Sequence, residues 1–168
     1  MATSDLTAAR LRELLSYDPD TGVFTSRTKR HKWPAGRVVG AKEKTGYARL
    51  PVDGVYYRAH RLAWLYVYGA WPSLPIDHIN GDRYDNRIGN LRQISVTENN
   101  ENLRSAKHTN HSGLLGVSAR PGGKFAATIK CVLGGQRLQL YLGAYTDAAT
   151  AHAVYVDAKR KLHGGCTI

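Results

Sequence analysis

The sequence is poor in cysteine and in long apolar runs, and each shortage excludes a class of protein. Two cysteines, Cys131 and Cys166, are too few for a disulfide framework and do not form a CxxC metal-binding pair, so we expect no structural zinc. The longest apolar stretch, Ala63 to Ala70, is much shorter than a membrane-spanning helix. The N-terminal residues lack the basic and apolar segments of a signal peptide. These features predict a soluble cytoplasmic protein with no membrane partner.

Acidic residues are also few, and the basic surplus is unevenly distributed. The chain has 24 Lys and Arg against 13 Asp and Glu, which gives a net charge of +11. Residues 1–74 hold 12 basic and 6 acidic side chains, and residues 111–168 hold 7 and 2. The central residues 75–110 are neutral, with 5 of each sign. Basic flanks predict binding to a polyanion, and a centre that holds many of the acids suits a metal cation.

Local patterns in the N-terminal region predict both helices and strands. Leu6 to Leu15 has the apolar spacing of a short amphipathic helix. Gly46 to Val52 and Val55 to Arg58 alternate like strands, and Asp53-Gly54 between them is typical of a two-residue hairpin turn. A second helix is predicted from His60 to Tyr68, before Gly69 and Pro72.

The central segment has the order strand, loop, strand and helix. Pro75 to Ile79 and Leu91 to Ile94 are the predicted strands, and a turn-rich loop with many Asn, Asp and Gly residues joins them. Ser95 with Glu98 three residues later is a capping box that starts the helix. This order is a ββα arrangement.

The C-terminal segment predicts a three-stranded sheet covered by one helix. Gly116 to Arg120, Lys124 to Lys130 and Arg137 to Gly143 are strand-like and are separated by glycine-rich turns. Thr146 is the predicted N-cap of the helix, and Gly164-Gly165 is its predicted stop. One apolar stripe of the helix can cover the sheet, formed by Ala148, Ala151, Tyr155, Ala158 and Leu162.

Three polar residues of the central segment can together support hydrolysis of a phosphodiester bond. Asp77 and Asn99 offer oxygen ligands, and such sparse ligation suits Mg²⁺, which retains water and binds substrate phosphate. His78 titrates near neutrality and can remove a proton from water. Adjacent residues of a regular strand face opposite sides, so Asp77 and His78 share a site only where the strand ends, twists or bulges. Asn100 and Asn102 remain alternatives to Asn99.

The central segment resembles the HNH nucleases, specifically the homing endonucleases of phages and introns. The residues that carry the likeness are Asp77-His78, Gly81-Asp82, Asp85-Asn86-Arg87, Asn90-Leu91-Arg92 and Asn99, preceded by His60-Arg61-Leu62-Ala63-Trp64. The resemblance implies one divalent metal ion, Mg²⁺ or Mn²⁺, on Asp77 and Asn99, with His78 as general base. It implies that Asn90 holds the loop and orients the histidine. His60 and Arg61 would contact phosphate or contact the residues that form the site.

Residues 112–164 resemble the apetala-two (ethylene-response-factor) DNA-binding domain. The matching residues include Gly116-Val117, Lys124 to Ala127, Ile129, Leu142 to Tyr145, Ala148-Ala149 and Ala151. That resemblance implies that the exposed face of the sheet enters the major groove of DNA. Several positions differ from the plant pattern, so its target preference does not transfer. The implied contact residues are Ser118, Arg120, Lys124, Thr128, Lys130, Arg137, Gln139 and Tyr141.

Together these features predict an α+β protein of modular build. It has a small mixed N-terminal region (1–59), a ββα-metal nuclease domain (60–107), a linker (108–113) and a three-stranded antiparallel sheet packed on one helix (114–168). Arg61, Arg87 and a basic stretch are further candidate DNA contacts, although that stretch could equally be a solvated loop. It contains Arg27, Lys29, Arg30, Lys32 and Arg37.

The predicted function is site-specific nicking of double-stranded DNA by a monomer that needs no small-molecule cofactor. A phage-encoded protein of this kind would act in the bacterial cytoplasm. The main alternative is a non-catalytic DNA-binding regulator that keeps an inactive HNH scaffold. An RNA-binding protein is a weaker alternative, because the chain has no aromatic RNP-type strand and no Gly-X-X-Gly clamp.

Overall fold

The computed structural model shows an α+β protein, as the sequence predicts. The chain divides into two compact units, Met1–Ile94 and Ser95–Ile168, each with its own sheets and helices. None of the helices in the described part of the chain is long and apolar enough to cross a membrane. The structure describes residues 6–29, 34–103, 105–106, 108–163 and 166.

The first unit begins with a short helix and a three-stranded sheet. Helix α1 (Ala8–Leu14) starts at Thr7, whose side chain accepts a hydrogen bond from the third backbone N–H beyond it. Strands β1 (Leu15–Asp18), β2 (Val23–Ser26) and β3 (Val38–Val39) follow and pair antiparallel in that order. The predicted helix is therefore present, but its last predicted residue already belongs to a strand.

A second antiparallel sheet contains the predicted hairpin. Strands β4 (Ala41–Lys42), β5 (Ala48–Val52) and β6 (Val55–Arg58) pair in chain order. The two turn residues between β5 and β6 have positive φ, 47° at Asp53 and 81° at Gly54. A turn with positive φ at both central positions matches the twist of the strands, so the local prediction of this hairpin is confirmed.

Helix α2 (Ala59–Tyr68) follows β6 without a loop and supplies much of the core. It ends at Gly69, which adopts the left-handed conformation and donates its N–H to the Leu65 carbonyl. Its inward face packs with α1 and the two sheets. The fully buried side chains of this core are Leu11, Leu15, Phe24, Leu50, Val52, Leu62 and Leu65.

The predicted ββ pair completes the first unit. Strands β7 (Ile76–His78) and β8 (Leu91–Gln93) pair antiparallel, with His78 opposite Leu91. The loop between them ends in a single 3₁₀ turn, Ile88–Asn90. Because β7 stops at His78, this histidine is the last residue of the strand, and the loop begins directly after it.

The second unit contains a short helix and then a sheet packed on one helix. Helix α3 (Val96–Glu101) starts with the predicted capping box of Ser95 and Glu98. Strands β9 (Val117–Arg120), β10 (Lys124–Leu133) and β11 (Gln136–Tyr145) form an antiparallel sheet with β10 in the middle. Helix α4 (Ala148–Leu162) packs on it, which confirms the predicted C-terminal architecture.

Two details of α4 differ from the prediction. Its N-cap is Asp147 and not Thr146, because the Asp147 carboxylate accepts the Thr150 N–H at 2.7 Å. Ala151 and Tyr155 of the predicted stripe are buried, but a third buried position is Lys159, whose ammonium group donates to the Leu103 carbonyl. The predicted stop, residues 164–165, lies outside the described residues.

Candidate functional site

His78 lies in the interior of the first unit, at the end of β7. Its side chain is only 4% exposed because its strand register places it on the same face as buried Leu91. Among the described residues, no hydrogen-bond partner reaches its buried Nε2 atom. A buried ring nitrogen without a partner is able to take a proton from a small molecule that enters the site.

Two aromatic rings surround this histidine, and both come from distant parts of the chain. The His60 ring of α2 meets the His78 ring edge-on, with centroids 5.1 Å apart and planes at 87°. Tyr47, just before β5, lies 5.3 Å from His60 and 5.9 Å from His78. We call these three side chains the aromatic triad. Sequence reasoning named His60 as a supporting residue, but it did not identify Tyr47.

Burial keeps both histidines of the triad neutral. Burial chiefly, with electrostatic interactions from His78, Arg58 and Arg61, lowers the pKa of His60 to about 3. Burial also lowers the pKa of His78, whereas the Asn86 side chain and the carboxylates of Asp77, Asp85 and Asp82 act in the opposite direction. At neutral pH, His78 therefore has the unprotonated form that a general base requires.

Asp77 lies on the other face of the ββ pair. Its register partner is Arg92 of β8, and the Arg92 guanidinium donates to Asp77 Oδ2 from Nε at 3.2 Å and from a terminal nitrogen at 3.0 Å. Both side chains are largely buried. The strand alternation thus directs Asp77 and His78 to opposite faces, and the two residues can serve one site only across the end of β7, which stops at His78. Arg92 was not among the predicted site residues.

Asn90 ties both ends of the loop together. Its side-chain oxygen accepts the Asn80 N–H at 2.9 Å, and its side-chain nitrogen donates to the Asp85 carbonyl at 2.8 Å. Its backbone carbonyl accepts the N–H of Ile79, the residue after His78, at 2.9 Å. The side chain is buried and fully used in holding the backbone that leaves β7.

Arg87 is held within the same loop by a carboxylate. Asp85 accepts two hydrogen bonds from the Arg87 guanidinium, at 2.9 and 2.6 Å, and a third from Asn80 at 2.7 Å. Arg87 chiefly, with Asn80, lowers the pKa of Asp85 to about 2. The Arg87 side chain remains more than half exposed, so a predicted DNA contact is already oriented by an ion pair.

The N-terminal sheet braces this loop from outside. The Tyr17 hydroxyl donates to the Asn86 carbonyl at 2.7 Å, and Ile88 donates its N–H to the Pro19 carbonyl at 3.2 Å. Gly22, in the turn between β1 and β2, packs so closely that an added Cβ would lie 2.5 Å from the Arg87 nitrogen. The sequence gave no signal of what this turn touches.

The predicted amide ligand, Asn99, belongs to α3 in the second unit. Its side chain is exposed, whereas the alternative Asn102 is buried. Asp77 and Asn99 offer only hard oxygen donors, one carboxylate and one amide, which fits Mg²⁺ or Mn²⁺. In the described part of the chain, no group of three or more His, Cys, Asp or Glu side chains could hold a metal ion.

The candidate contacts of the C-terminal sheet share one face. Strand register pairs Lys124 with Arg120 and Lys130 with Gln139, and paired residues point to the same side. A register shift between Ala127 and Thr128 then keeps Tyr141 on this side, where it is 64% exposed. The register therefore brings together all of the predicted positions, which are Ser118, Arg120, Lys124, Thr128, Lys130, Arg137, Gln139 and Tyr141.

The remaining predicted DNA contacts are scattered. Arg61 is exposed on α2, and its guanidinium stacks on the Trp71 ring at 5.6 Å. Arg27 and Lys29 are exposed after β2, and Arg37 precedes β3. Arg30 and Lys32 lie outside the described residues, so the central part of the predicted basic arm has no structural account.

Comparisons with known proteins agree with the motif. No curated protein matches the chain. The chain is similar to one solved structure, described as "DNA binding and cleavage by the HNH homing endonuclease I-HmuI". The alignment covers 53% of this chain and 51% of the chain in that structure, with 25% sequence identity and a TM-score of 0.41. The chain thus spans about half the length of that protein. The model of the HNH endonuclease family matches residues 57–101. Those residues carry α2, the ββ pair and α3.

Proposed function

We propose that this protein is a metal-dependent, site-specific DNA endonuclease of the homing type, which hydrolyses one phosphodiester bond per active site. The observation that carries the proposal is His78, the histidine at the end of β7 in the family-matched segment. It is buried and neutral, and its Nε2 atom has no partner among the described residues. His60 and His163 also have one buried ring nitrogen without a partner in the described part of the chain, so it is the place of His78 in the motif, directly after Asp77, that favours it for the catalytic role.

His78 acts as the general base in this mechanism. The unprotonated imidazole removes a proton from a water molecule, and that water attacks the phosphorus of the scissile bond. The aromatic triad excludes bulk water behind the ring and fixes its plane. Asn90 fixes the backbone that follows His78, so that the ring keeps its orientation during proton transfer. The products are a 5′-phosphate and a 3′-hydroxyl.

Asp77 and Asn99 would hold the divalent ion, Mg²⁺ or alternatively Mn²⁺. When bound, the ion supplies positive charge that stabilises the departing 3′ oxygen. Asp77 Oδ2 accepts two hydrogen bonds from Arg92, so this guanidinium holds the carboxylate in place. Asn99 is preferred to Asn102 as the amide ligand because its side chain is exposed.

The C-terminal sheet and the basic residues of the first unit bring the nuclease domain to double-stranded DNA. An exposed sheet face with Arg120, Lys124, Lys130 and Arg137 offers guanidinium and ammonium groups to phosphates, as in the apetala-two resemblance. Gln139 and Tyr141 on the same face offer a hydrogen-bonding amide and an apolar surface to base edges. We place the protein on DNA as a monomer, in the cytoplasm of the cell where a phage or intron would express it.

Nicking of supercoiled plasmid DNA tests this function. A plasmid that carries the natural target should be converted to the open-circular form with Mg²⁺ and should stay supercoiled with EDTA. Sequencing of the nicked strand should give one position with a 5′-phosphate. DNA binding without any Mg²⁺-dependent nicking would instead identify a DNA-binding regulator with an inactive HNH scaffold.

A further inference from the structure

Two arginine side chains converge on Tyr47, the tyrosine of the aromatic triad. The Arg58 guanidinium lies 4.5 Å from the centre of the Tyr47 ring, and the Arg83 guanidinium lies 5.0 Å from it. Arg58 ends β6, whereas Arg83 belongs to the loop after β7, so two separate elements deliver these charges. We call Arg58 and Arg83 the arginine pair. Neither was a predicted site residue.

One threonine fixes the arginine pair. The Arg83 guanidinium donates to the Thr45 carbonyl at 3.1 Å, and the Arg58 guanidinium donates to the Thr45 hydroxyl at 3.4 Å. Each guanidinium is thus held by a cation–π contact and at least one hydrogen bond. Long arginine side chains lose much conformational entropy when they are held, so a pre-ordered pair binds a ligand at a lower entropic cost.

The carboxylates near the arginine pair do not balance its positive charge. Glu43 pairs with Arg58 at 3.0 Å, but it also pairs with Arg49 at 3.3 Å. Arg83 has no carboxylate partner among the described residues, and its side chain is exposed. Two guanidinium groups therefore share the Glu43 carboxylate, and the Arg83 guanidinium has none among the described residues. Guanidinium charges that lack a full set of carboxylate partners favour an anion from outside the protein.

The arginine pair lies beside the proposed general base. Tyr47 is in contact with both guanidinium groups, and its ring centre is 5.9 Å from that of His78. An anion on the pair would therefore lie one aromatic ring away from the histidine. A guanidinium presents planar N–H donors that match two phosphate oxygens, which makes phosphate the anion that this geometry suits.

We infer that Arg58 and Arg83 form a phosphate-binding pair that holds a backbone phosphate of the DNA strand next to His78. This inference rests on the proposed nuclease function and adds a binding site to it. The pair positions the strand, and His78 performs the chemistry. Loss of the arginine pair should therefore weaken DNA binding in a salt-dependent manner. It should change the rate of the chemical step much less.

The test measures the binding of Arg58→Gln and Arg83→Gln to a target duplex over a range of salt concentrations, in EDTA, so that no cleavage occurs. Each variant should bind about five- to tenfold more weakly at physiological salt. The slope of log affinity against log salt should decrease by about 1 for each lost phosphate contact. Single-turnover nicking with saturating protein and Mg²⁺ should stay within a few-fold of the wild-type rate.

Two further variants separate this role from general charge and from folding. Arg10→Gln removes the same charge from a guanidinium that pairs with Asp53 and Glu13, and should keep the wild-type slope. Arg83→Lys should keep most of the slope but lose part of the affinity, because lysine cannot bind phosphate with two parallel donors. Arg83→Gln is the decisive variant if Arg58→Gln is less stable, since Arg83 is exposed.

The outcomes distinguish this inference from the proposed function. If the wild-type protein nicks DNA and both glutamine variants keep the wild-type salt slope, the arginine pair does not bind phosphate. The proposed nuclease function would be unaffected by that result. An equal slope change in Arg10→Gln would also overturn the inference, because the effect would then be one of overall charge. A protein that never nicks its target would refute the nuclease function, whereas the slopes measured in EDTA would still report on the arginine pair.

Discussion

His60 and His78 meet edge-on in the interior of the first unit, with ring centroids 5.1 Å apart. Two imidazoles at this distance cannot both be protonated in a buried site without strong repulsion. The contact therefore favours the neutral form of each ring. The aromatic triad thus links the fold, in which α2 packs behind the ββ pair, to the protonation state that a general base needs.

We expect the stability of the protein to fall at mildly acidic pH because of His60. Its pKa is about 3 in the folded protein, whereas that of an unfolded histidine is about 6.5. Between these values the unfolded chain binds the additional proton, so the free energy of unfolding decreases as the pH falls from about 6.5 towards 3. One such group contributes at most about 1.4 kcal/mol per pH unit.

Urea unfolding of the wild type and of His60→Gln at pH 7 and pH 5 measures this effect. The loss of stability between the two pH values should be smaller in the variant, because glutamine does not titrate. His111→Gln removes an exposed histidine and should retain the wild-type dependence. Equal pH dependence in the wild type and in His60→Gln would contradict the assignment.

Replacement of His78 should abolish cleavage and preserve binding. His78→Gln keeps a polar side chain of similar size but cannot act as a base near neutral pH, so the single-turnover rate should fall by about two to four orders of magnitude. DNA affinity in EDTA should stay within a few-fold, since the His78 side chain is only 4% exposed. Comparable losses of affinity and of rate would show that His78 has a structural role only.

Replacement of Asp77 should remove the metal dependence of the reaction. Asp77→Ala takes away the only carboxylate of the proposed ligand pair, so the Mg²⁺ concentration that gives half of the maximal rate should rise at least tenfold. Asp53→Ala, which removes an exposed carboxylate paired with Arg10, is the matched control and should respond to Mg²⁺ like the wild type. A wild-type Mg²⁺ titration in Asp77→Ala would exclude this residue as a ligand.

The sequence predicted those parts of the fold that depend on short-range signals. The Asp53-Gly54 turn and the Ser95–Glu98 capping box each lie within a few residues of the structure that they specify. The sheet of β1, β2 and β3 was missed, because Leu14 and Leu15 continue the apolar pattern of α1 although Leu15 already starts β1. Apolar spacing alone does not show where a helix passes directly into a strand.

The sequence indicated the motif residues of the candidate site, but it did not indicate the residues that surround them. Asp77, His78 and Asn90 stand out because their spacing resembles a known family. Tyr47 carries no comparable local signal, because its contacts depend on packing in three dimensions. Arg92 lies within the motif, but the motif does not show that it pairs with Asp77 across β7 and β8. The same limit applies to the brace that the N-terminal sheet provides for the loop, since no residue pattern shows that two distant turns touch.

Asn90 should be important for stability as well as activity. Asn90→Ala leaves the Asn80 N–H and the Asp85 carbonyl without their partners, so the free energy of unfolding should decrease by about 2 kcal/mol. Chemical denaturation measures this loss. Ser73→Ala removes an exposed hydroxyl that contacts Gln93 and should cost much less. Equal stability of the two variants would mean that the loop does not depend on Asn90.

Replacement of Gly22 tests whether contact with the N-terminal sheet holds the nuclease loop in place. Its φ is +73°, and an added Cβ would lie 2.5 Å from the Arg87 nitrogen and 2.5 Å from the Asn86 carbonyl carbon. Gly22→Ala should therefore displace the loop that Asn90 and Tyr17 hold. Gly36→Ala is a matched control, because Gly36 has a φ of +81° and nothing within 4 Å of the added Cβ.

The backbone strain of an alanine at positive φ, about 1–2 kcal/mol, should be common to the two glycine variants. Only Gly22→Ala should lose more stability than this and also lose nicking activity, because the backbone clash reaches the loop next to His78. Thermal unfolding and single-turnover nicking of both variants compare the two effects directly. If Gly22→Ala nicks DNA as fast as Gly36→Ala, contact with the N-terminal sheet contributes nothing to the geometry of the site, and the nuclease loop is held by its own hydrogen bonds alone.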